Sequence, residues 1–420
     1  MPPLRILHVT PYSGDAWAYG GIPRLAATLA RDLARRGHAV TVATTDACDA
    51  TSRLRPPSIA AVPPPGGAWP SSRTADGVAL RVFPNLSNHL AYHWQLFLPR
   101  GLAGFMRRHA REFDVAHLHA CRNLPVEIAA RHLGRAGVPF VLAPNGTAPR
   151  IERRRLAKRT FDALAGRRAL QNAARVVAVS QAEQAQLRAL GVADETIALV
   201  PNPIDLEEFA SPIQRGRLRI RCSLRAGPIV LFLGKLTPRK RVDLLVEAFA
   251  RLERPDATLV IAGNDMGSGR EITAAIRSRG IEGAVRFTGL LRGHERLEAL
   301  ADADVVVYPS EHEVFGLVPL EALLAGTSVI VAGDSGSGEV IRTTGGGQVV
   351  PAGDASALTA AINLVIQSPD HWRVQAERAA LRVRELYGNE AVCDQIVDQY
   401  HAILSGVRPQ RWNSPRIVPQ

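Results

Sequence analysis

Residues 4–45, LRILHVTPYSGDAWAYGGIPRLAATLARDLARRGHAVTVATT, read as a strand, a loop holding Gly20 and Gly21, a helix and a second strand. In the helical stretch Leu25, Leu29 and Leu33 recur every four residues, and Gly37 sits where a helix C-terminus favours a residue free of Cβ strain. Two parallel strands joined by a crossover helix imply a doubly wound α/β sheet.

The same unit repeats outward from this start. DVAHLH (114–119) precedes a helix from Leu124, PFVLAPNG (139–146) precedes a long basic helix, and VVAVS (176–180) precedes QAEQAQLRALG. Residues 51–75, rich in proline and small residues, interrupt the rhythm as an exposed loop. LVPNPIDLEEF (199–209) ends this series, and PIVLFLG (228–234) opens a second one that runs through LVIAG, VRFTG, DVVVYPS, SVIVA and GGQVV. The expected organisation is therefore a first Rossmann-like domain over 1–205 and a second over 206–388. A C-terminal helix over 389–405 is expected to pack back on the first domain, ahead of a poorly ordered tail at 406–420.

With 420 residues, 46% of them hydrophobic, the chain can bury two cores of ordinary size. Its 51 Lys and Arg against 39 Asp and Glu leave a formal charge of +12, which favours anionic partners. Nucleic acid is not among those expected, because no recognition motif accompanies the charge. Four scattered cysteines form no C-x-x-C pair, which argues against a zinc site or disulfide framework and for a reducing cytoplasm. The N-terminus has too short an apolar run for a signal peptide. No stretch reaches the roughly 18 apolar residues of a membrane span.

In open parallel sheets, ligands gather at the carboxyl ends of the strands. After PIVLFLG, Lys235 and Lys240 stand at a strand end beside a helix N-terminus, a setting that suits a diphosphate and equally describes a solvated basic turn. After DVVVYPS comes EHEVFGLVPLEALLAG (311–326). Pro319 suits a first helical turn, so a helix begins near Leu317 and leaves the N–H groups around Phe315, Gly316 and Leu317 available. Glu313 falls in the loop and Glu321 about one turn inside the helix. Two carboxylates flanking an anion-binding turn could hold hydroxyls of two sugars, or could be a surface acid and a helix-dipole partner.

The stretch EHEVFGLVPLEALLAGTSVIVAGDSGSGEVI resembles the E-x7-E signature of retaining, nucleotide-sugar-dependent glycosyltransferases of the GT-B fold, specifically the family-four group. FDVAHLHA, VAVSQAEQAQLRALGV, VPNPIDLEEF, FLGKLTPRKRVDLLVEAF and VRFTGLL fall in the order of that family, over nearly the whole chain. The resemblance implies an α/β fold of two Rossmann-like doubly wound domains with an interdomain cleft, the first for the acceptor and the second for the nucleotide-sugar donor. It implies that Glu321 holds the ribose hydroxyls and Glu313 those of the transferred sugar. Lys235 and Lys240 would neutralise the diphosphate, Phe315, Gly316 and Leu317 would give backbone contacts, and Gly21 would let its loop approach the donor phosphate. His119 would bind a sugar hydroxyl near the anomeric centre. His117 is its rival; the strand is read as turning the two to opposite faces, with His119, nearer the carboxyl end, facing the cleft. The family's usual arginine is here Lys235, and Pro203 stands where its linker motif has glycine.

The implied reaction transfers a sugar from a nucleotide diphosphate to a hydroxyl with retained configuration. The two lysines can neutralise the leaving group in place of a metal ion, so metal independence and no cofactor are expected. A non-hydrolysing nucleotide-sugar epimerase and a non-catalytic nucleotide-sugar-binding subunit are the alternatives. PRGLAGFMRRHAREF (99–113) and RIERRRLAKRTFDALAGRRAL (150–170) mix Arg with Leu, Phe and Met, which fits a face on anionic lipid. The expected acceptor is accordingly a lipid-linked saccharide or glycan in polysaccharide or lipopolysaccharide assembly, at the inner face of the membrane.

Overall fold

The computed structural model describes residues 2–54, 72–149, 168–334 and 336–406. They form two units, one running to Pro203 and resuming at Asn389, the other Ile204–Gly388. The proline-rich loop lies outside the described residues over 55–71, the long basic helix over 150–167 and the tail over 407–420.

In the first unit eight strands form one sheet: β1 (Arg5–Val9), β2 (Ala39–Thr45), β3 (Ser72–Arg73), β4 (Ala79–Phe83), β5 (Val115–His119), β6 (Phe140–Ala143), β7 (Arg175–Ala178) and β8 (Ile197–Leu199). Their order is β3-β4-β2-β1-β5-β6-β7-β8, parallel except for the β3 edge. Strands covered on both faces read as near-continuous apolar runs, and the alternate apolar residues of these divide between two cores. Leu7, Val9, Ala116, Leu118 and Leu142 join one. Ile6, Val115, Val141 and Val177 join the other, beneath Leu29 and Leu33 of helix Gly21–Arg35 and Val392, Ile396 and Tyr400 of helix Asn389–Ser405. The C-terminal helix is tied in by Asn389, whose Nδ2 donates to buried Asp32 at 2.8 Å.

The second unit carries β9 (Ile229–Leu233), β10 (Thr258–Ala262), β11 (Val285–Gly289), β12 (Val305–Tyr308), β13 (Val329–Ala332) and β14 (Gly347–Val350). All are parallel, in the order β11-β10-β9-β12-β13-β14. The winding direction reverses between β9 and β12 here, and between β1 and β5 in the first sheet. At such a reversal the connections leave to opposite faces, and the strand ends open a crevice.

Two sequence readings change. Helix Leu102–His109 sends Leu102, Phe105 and Met106 into the core and leaves Arg107 and Arg108 exposed, so the mixed basic and apolar face expected there does not exist on this helix. His117 and His119 lie on the same face of β5, because side chains two apart on a strand point the same way. Their rings are parallel, with centroids 4.5 Å apart. No helix among the described residues is long and apolar enough to cross a membrane.

Candidate active site

In the second unit the loops after β9 and β12 meet at the reversal. The β9 loop makes a 3-10 turn, Pro238–Lys240, before helix Val242–Ala250, and buries Lys240. The β12 loop is pinned on both sides: Glu311 N–H donates to the Arg239 carbonyl at 2.9 Å, and His312 N–H to Asp334 at 2.9 Å. This delivers Glu313 onto Lys240. The Lys240 ammonium donates to Glu313 Oε2 and to the Tyr308 hydroxyl oxygen. The same carboxylate oxygen accepts from Tyr308 OH at 3.0 Å and Ser310 Oγ at 3.1 Å. Burial raises the Glu313 carboxyl, but the charges of Lys240 and Arg239 with the Lys240 and Tyr308 hydrogen bonds outweigh it and bring it down to about 2. Burial and the Glu313 charge push the Tyr308 phenol well up, so it keeps its proton and donates.

Glu321 lies in helix Leu317–Leu324 and is 1% exposed. A bare carboxylate at that depth is untenable, and Arg296, itself 3% exposed, supplies the countercharge. The second Arg296 nitrogen pairs with Glu208, in the turn Leu206–Phe209. Each carboxylate of the pair thus has its own cation, Lys240 for Glu313 and Arg296 for Glu321. Gly316 starts the helix at φ +85, and a Cβ there would stand 3.2 Å from the Ser337 Cβ. Both facts call for glycine. Phe315 is buried edge-on to Tyr387, with centroids 5.6 Å apart. Lys235 lies half-buried just beyond β9.

In the first unit the reversal holds imidazoles in place of ions. His8 on β1 and His117 and His119 on β5 are all buried. His8 Nδ1 lies 3.0 Å from His119 Nε2, and His117 Nδ1 lies 2.8 Å from Tyr400 OH. Burial lowers all three, His119 to about 3, so the stack is neutral at physiological pH. His119 and Asn145 line a cavity of about 30 Å³. In the preceding loop Gly20 has φ +94 and ψ −145, a region closed to other residues, whereas Gly21 is simply the first residue of its helix.

The sequence singled out Lys240, Glu313 and Glu321 but missed Tyr308, Ser310, Arg296 and His8. One signal was available. Arg296 sits on the apolar side of HERLEALA beside Leu297 and Leu300, and an arginine on a buried face demands an acid.

The N-terminal part of the chain, residues 19–208, matches the model for Glycosyltransferase Family 4, and residues 224–382 match that for Glycosyl transferases group 1. A D-inositol 3-phosphate glycosyltransferase of Kineococcus radiotolerans is 29% identical over 97% of this chain and 95% of its own length. Another of that name, from Frankia alni, is 31% identical over 70% of this chain and 75% of its own length. The solved structure of HepE from Anabaena in complex with UDP-glucose matches with a TM-score of 0.73 at 21% identity, covering 95% of this chain and 100% of that one. The fold is that of the GT-B enzymes, as the sequence implied, and the chain belongs to the glycosyltransferases, its N-terminal part of family 4 and its C-terminal part of group 1.

Proposed function

We propose that the chain is a retaining, nucleotide-sugar-dependent glycosyltransferase whose donor binds at the β9/β12 reversal of the second unit. The observation that carries this reading is the pair of neutralised carboxylates there, Glu313 on Lys240 and Glu321 on Arg296. A carboxylate paired with a cation keeps further lone pairs that accept hydrogen bonds from sugar hydroxyls. Glu321 takes the ribose hydroxyls and Glu313 those of the transferred sugar. Lys235, Lys240 and the N–H groups around Phe315, Gly316 and Leu317 take the diphosphate. Ser337, whose buried hydroxyl has no hydrogen-bond partner among the described residues, stands beside Gly316, where an anion would complete it. His119 contributes a hydrogen bond to a hydroxyl of the sugar, and the loop at Gly20 and Gly21 approaches the donor phosphate.

In this mechanism the bond from the anomeric carbon to the diphosphate oxygen breaks, and negative charge grows where Lys240 stands. The acceptor oxygen attacks from the same face, and its proton passes to the departing phosphate oxygen. The lysines take up the leaving-group charge, so the reaction is expected to need no metal.

The acceptor is a hydroxyl compound. A lipid-linked saccharide at a membrane surface now rests on exposed basic residues alone. A small polyol phosphate is the second reading, favoured by the name of the Kineococcus and Frankia relatives.

The experiment is a thermal-shift screen of UDP-, GDP- and dTDP-sugars, followed by incubation of the stabilising donor with inositol phosphate, with a lipid-linked saccharide and with no acceptor. Sugar transfer with retained anomeric configuration is expected. Inversion, or conversion of the donor to its epimer in the absence of acceptor, would overturn the reading.

A further inference from the structure

Within the first unit one contact decides which nitrogen of His119 faces a ligand. His8 and His119 meet edge to edge, Nδ1 to Nε2, at 3.0 Å. Of the two ring nitrogens in such a contact, one donates and the other accepts, because a neutral imidazole carries a single N–H. The other nitrogen of His8, Nε2, is buried and has no hydrogen-bond partner among the described residues. If the proton of His8 sat on Nε2, His119 Nε2–H could donate to His8 Nδ1 across the 3.0 Å contact, but the His8 Nε2–H would be buried with no acceptor among the described residues. If it sits on Nδ1, only a lone pair is left unmatched, the cheaper loss. His8 Nδ1–H then donates to His119 Nε2.

We propose that His8 is a positioning residue that holds His119 in its Nδ1–H tautomer, so that His119 offers substrate a hydrogen-bond donor at Nδ1 and no proton acceptor. The rest of the stack supports this. His117 lies flat against His119, its ring plane within 9° and its centroid 4.5 Å away, and so fixes the plane of the ring. Tyr400 OH anchors His117 at 2.8 Å. Burial raises the Tyr400 phenol well above its ordinary value, so this anchor keeps its proton. With Nε2 engaged by His8, Nδ1 is the His119 nitrogen left for a sugar hydroxyl, and a neutral N–H suits a hydroxyl oxygen without bringing a positive charge close to an oxocarbenium-like carbon.

The proposal rests on the reading above, in which His119 touches the transferred sugar, but its first test does not depend on turnover. Full-length protein labelled with ¹⁵N-histidine is examined by long-range ¹H–¹⁵N correlation between pH 6 and 8, with His119→Gln assigning the ring. A His119 Nδ1–H pattern across that range is expected, and an Nε2–H or cationic pattern overturns the proposal. The second test is kinetic. His8→Leu removes the donor and is expected to lower kcat about tenfold while the donor KM stays within about twofold. His8→Asn, whose amide Nδ2 stands where Nδ1 stood, should recover to within about threefold of wild type. Equal losses in the two variants, with unfolding temperatures unchanged, would contradict the positioning role. Should the protein transfer no sugar to any acceptor, the proposed function fails, and the tautomer pattern still decides this inference.

Discussion

The two sheets reverse their winding at corresponding places, β1 against β5 and β9 against β12, and the chain furnishes these places in opposite ways. The second unit buries ions in pairs, Lys240 with Glu313 and Arg296 with Glu321. The first buries three neutral imidazoles, His8 hydrogen-bonded to His119, and His117 stacked on both and hydrogen-bonded to Tyr400. One topology therefore supplies both a charged crevice, suited to a substrate that carries and releases negative charge, and an uncharged one, suited to orienting hydroxyls. The fold provides the crevice, and a few side chains at strand ends decide its chemistry.

The sharpest way to break this contrast is to strand an ion. Glu321→Ala leaves Arg296 buried with Glu208 as its remaining acid, and removing one partner of a buried pair costs about 3–5 kcal/mol. Urea unfolding should show that loss. In the first unit, His117→Leu exchanges one neutral group for another and is expected to cost less than half as much; equal losses would show that the two crevices are not electrostatically distinct.

Acid should separate them next. The three histidines have folded pKa values lowered by burial, so above pH 6.5 they are neutral in both states and their full contribution to stability is present. Below pH 6.5 the unfolded chain takes up protons that the folded stack refuses, and stability falls as pH drops toward the folded values. Each imidazole costs about 1.4 kcal/mol per pH unit, about 4 kcal/mol per unit for the three together. Glu313, with its folded pKa lowered to about 2, acts in a different window: its contribution is present above pH 4.5 and is lost as pH falls from there through about 2. Unfolding curves at pH 7, 6 and 5 should therefore steepen in loss below pH 6.5. His8→Leu and His117→Leu should flatten that slope, and Glu313→Gln should leave it unchanged.

A smaller effect tests the charged crevice from inside. Tyr308→Phe removes one hydrogen bond from Glu313 but leaves Lys240 and Ser310 in place. A hydrogen bond to a charged group contributes about 1.5–3 kcal/mol, and kcat is expected to fall by about tenfold at the lower end of that range. Unchanged kinetics would show that Lys240 alone sets the carboxylate.

The repeating strand and helix pattern was legible because each element carries its own periodicity: every strand read from the second series, from PIVLFLG to GGQVV, is a strand of the sheet. The position of Gly316 at a helix start was legible for the same reason, since Pro319 and the glycine lie within one turn. What could not be read depends on residues distant in sequence. His8 meets His119 across 111 positions, and Lys240 meets Tyr308 across 68. Neither partner carries a local mark of the other. The reading of His117 and His119 failed for a different reason. Strand alternation has a period of two, so it unites these residues where it was taken to separate them. The basic stretch at 99–113 misled because composition does not say which side of a helix is covered, and Leu102, Phe105 and Met106 were already committed to the core.

The contrast between the crevices is tested most directly by titrating UDP, or the nucleoside diphosphate of the donor selected in the screen, into wild-type protein, Lys240→Ala and His119→Ala by calorimetry. If the charged reversal of the second unit holds the diphosphate, Lys240→Ala weakens binding by at least about tenfold, while His119→Ala stays within about twofold of wild type. Undiminished binding in Lys240→Ala, or a larger loss in His119→Ala, would contradict the account.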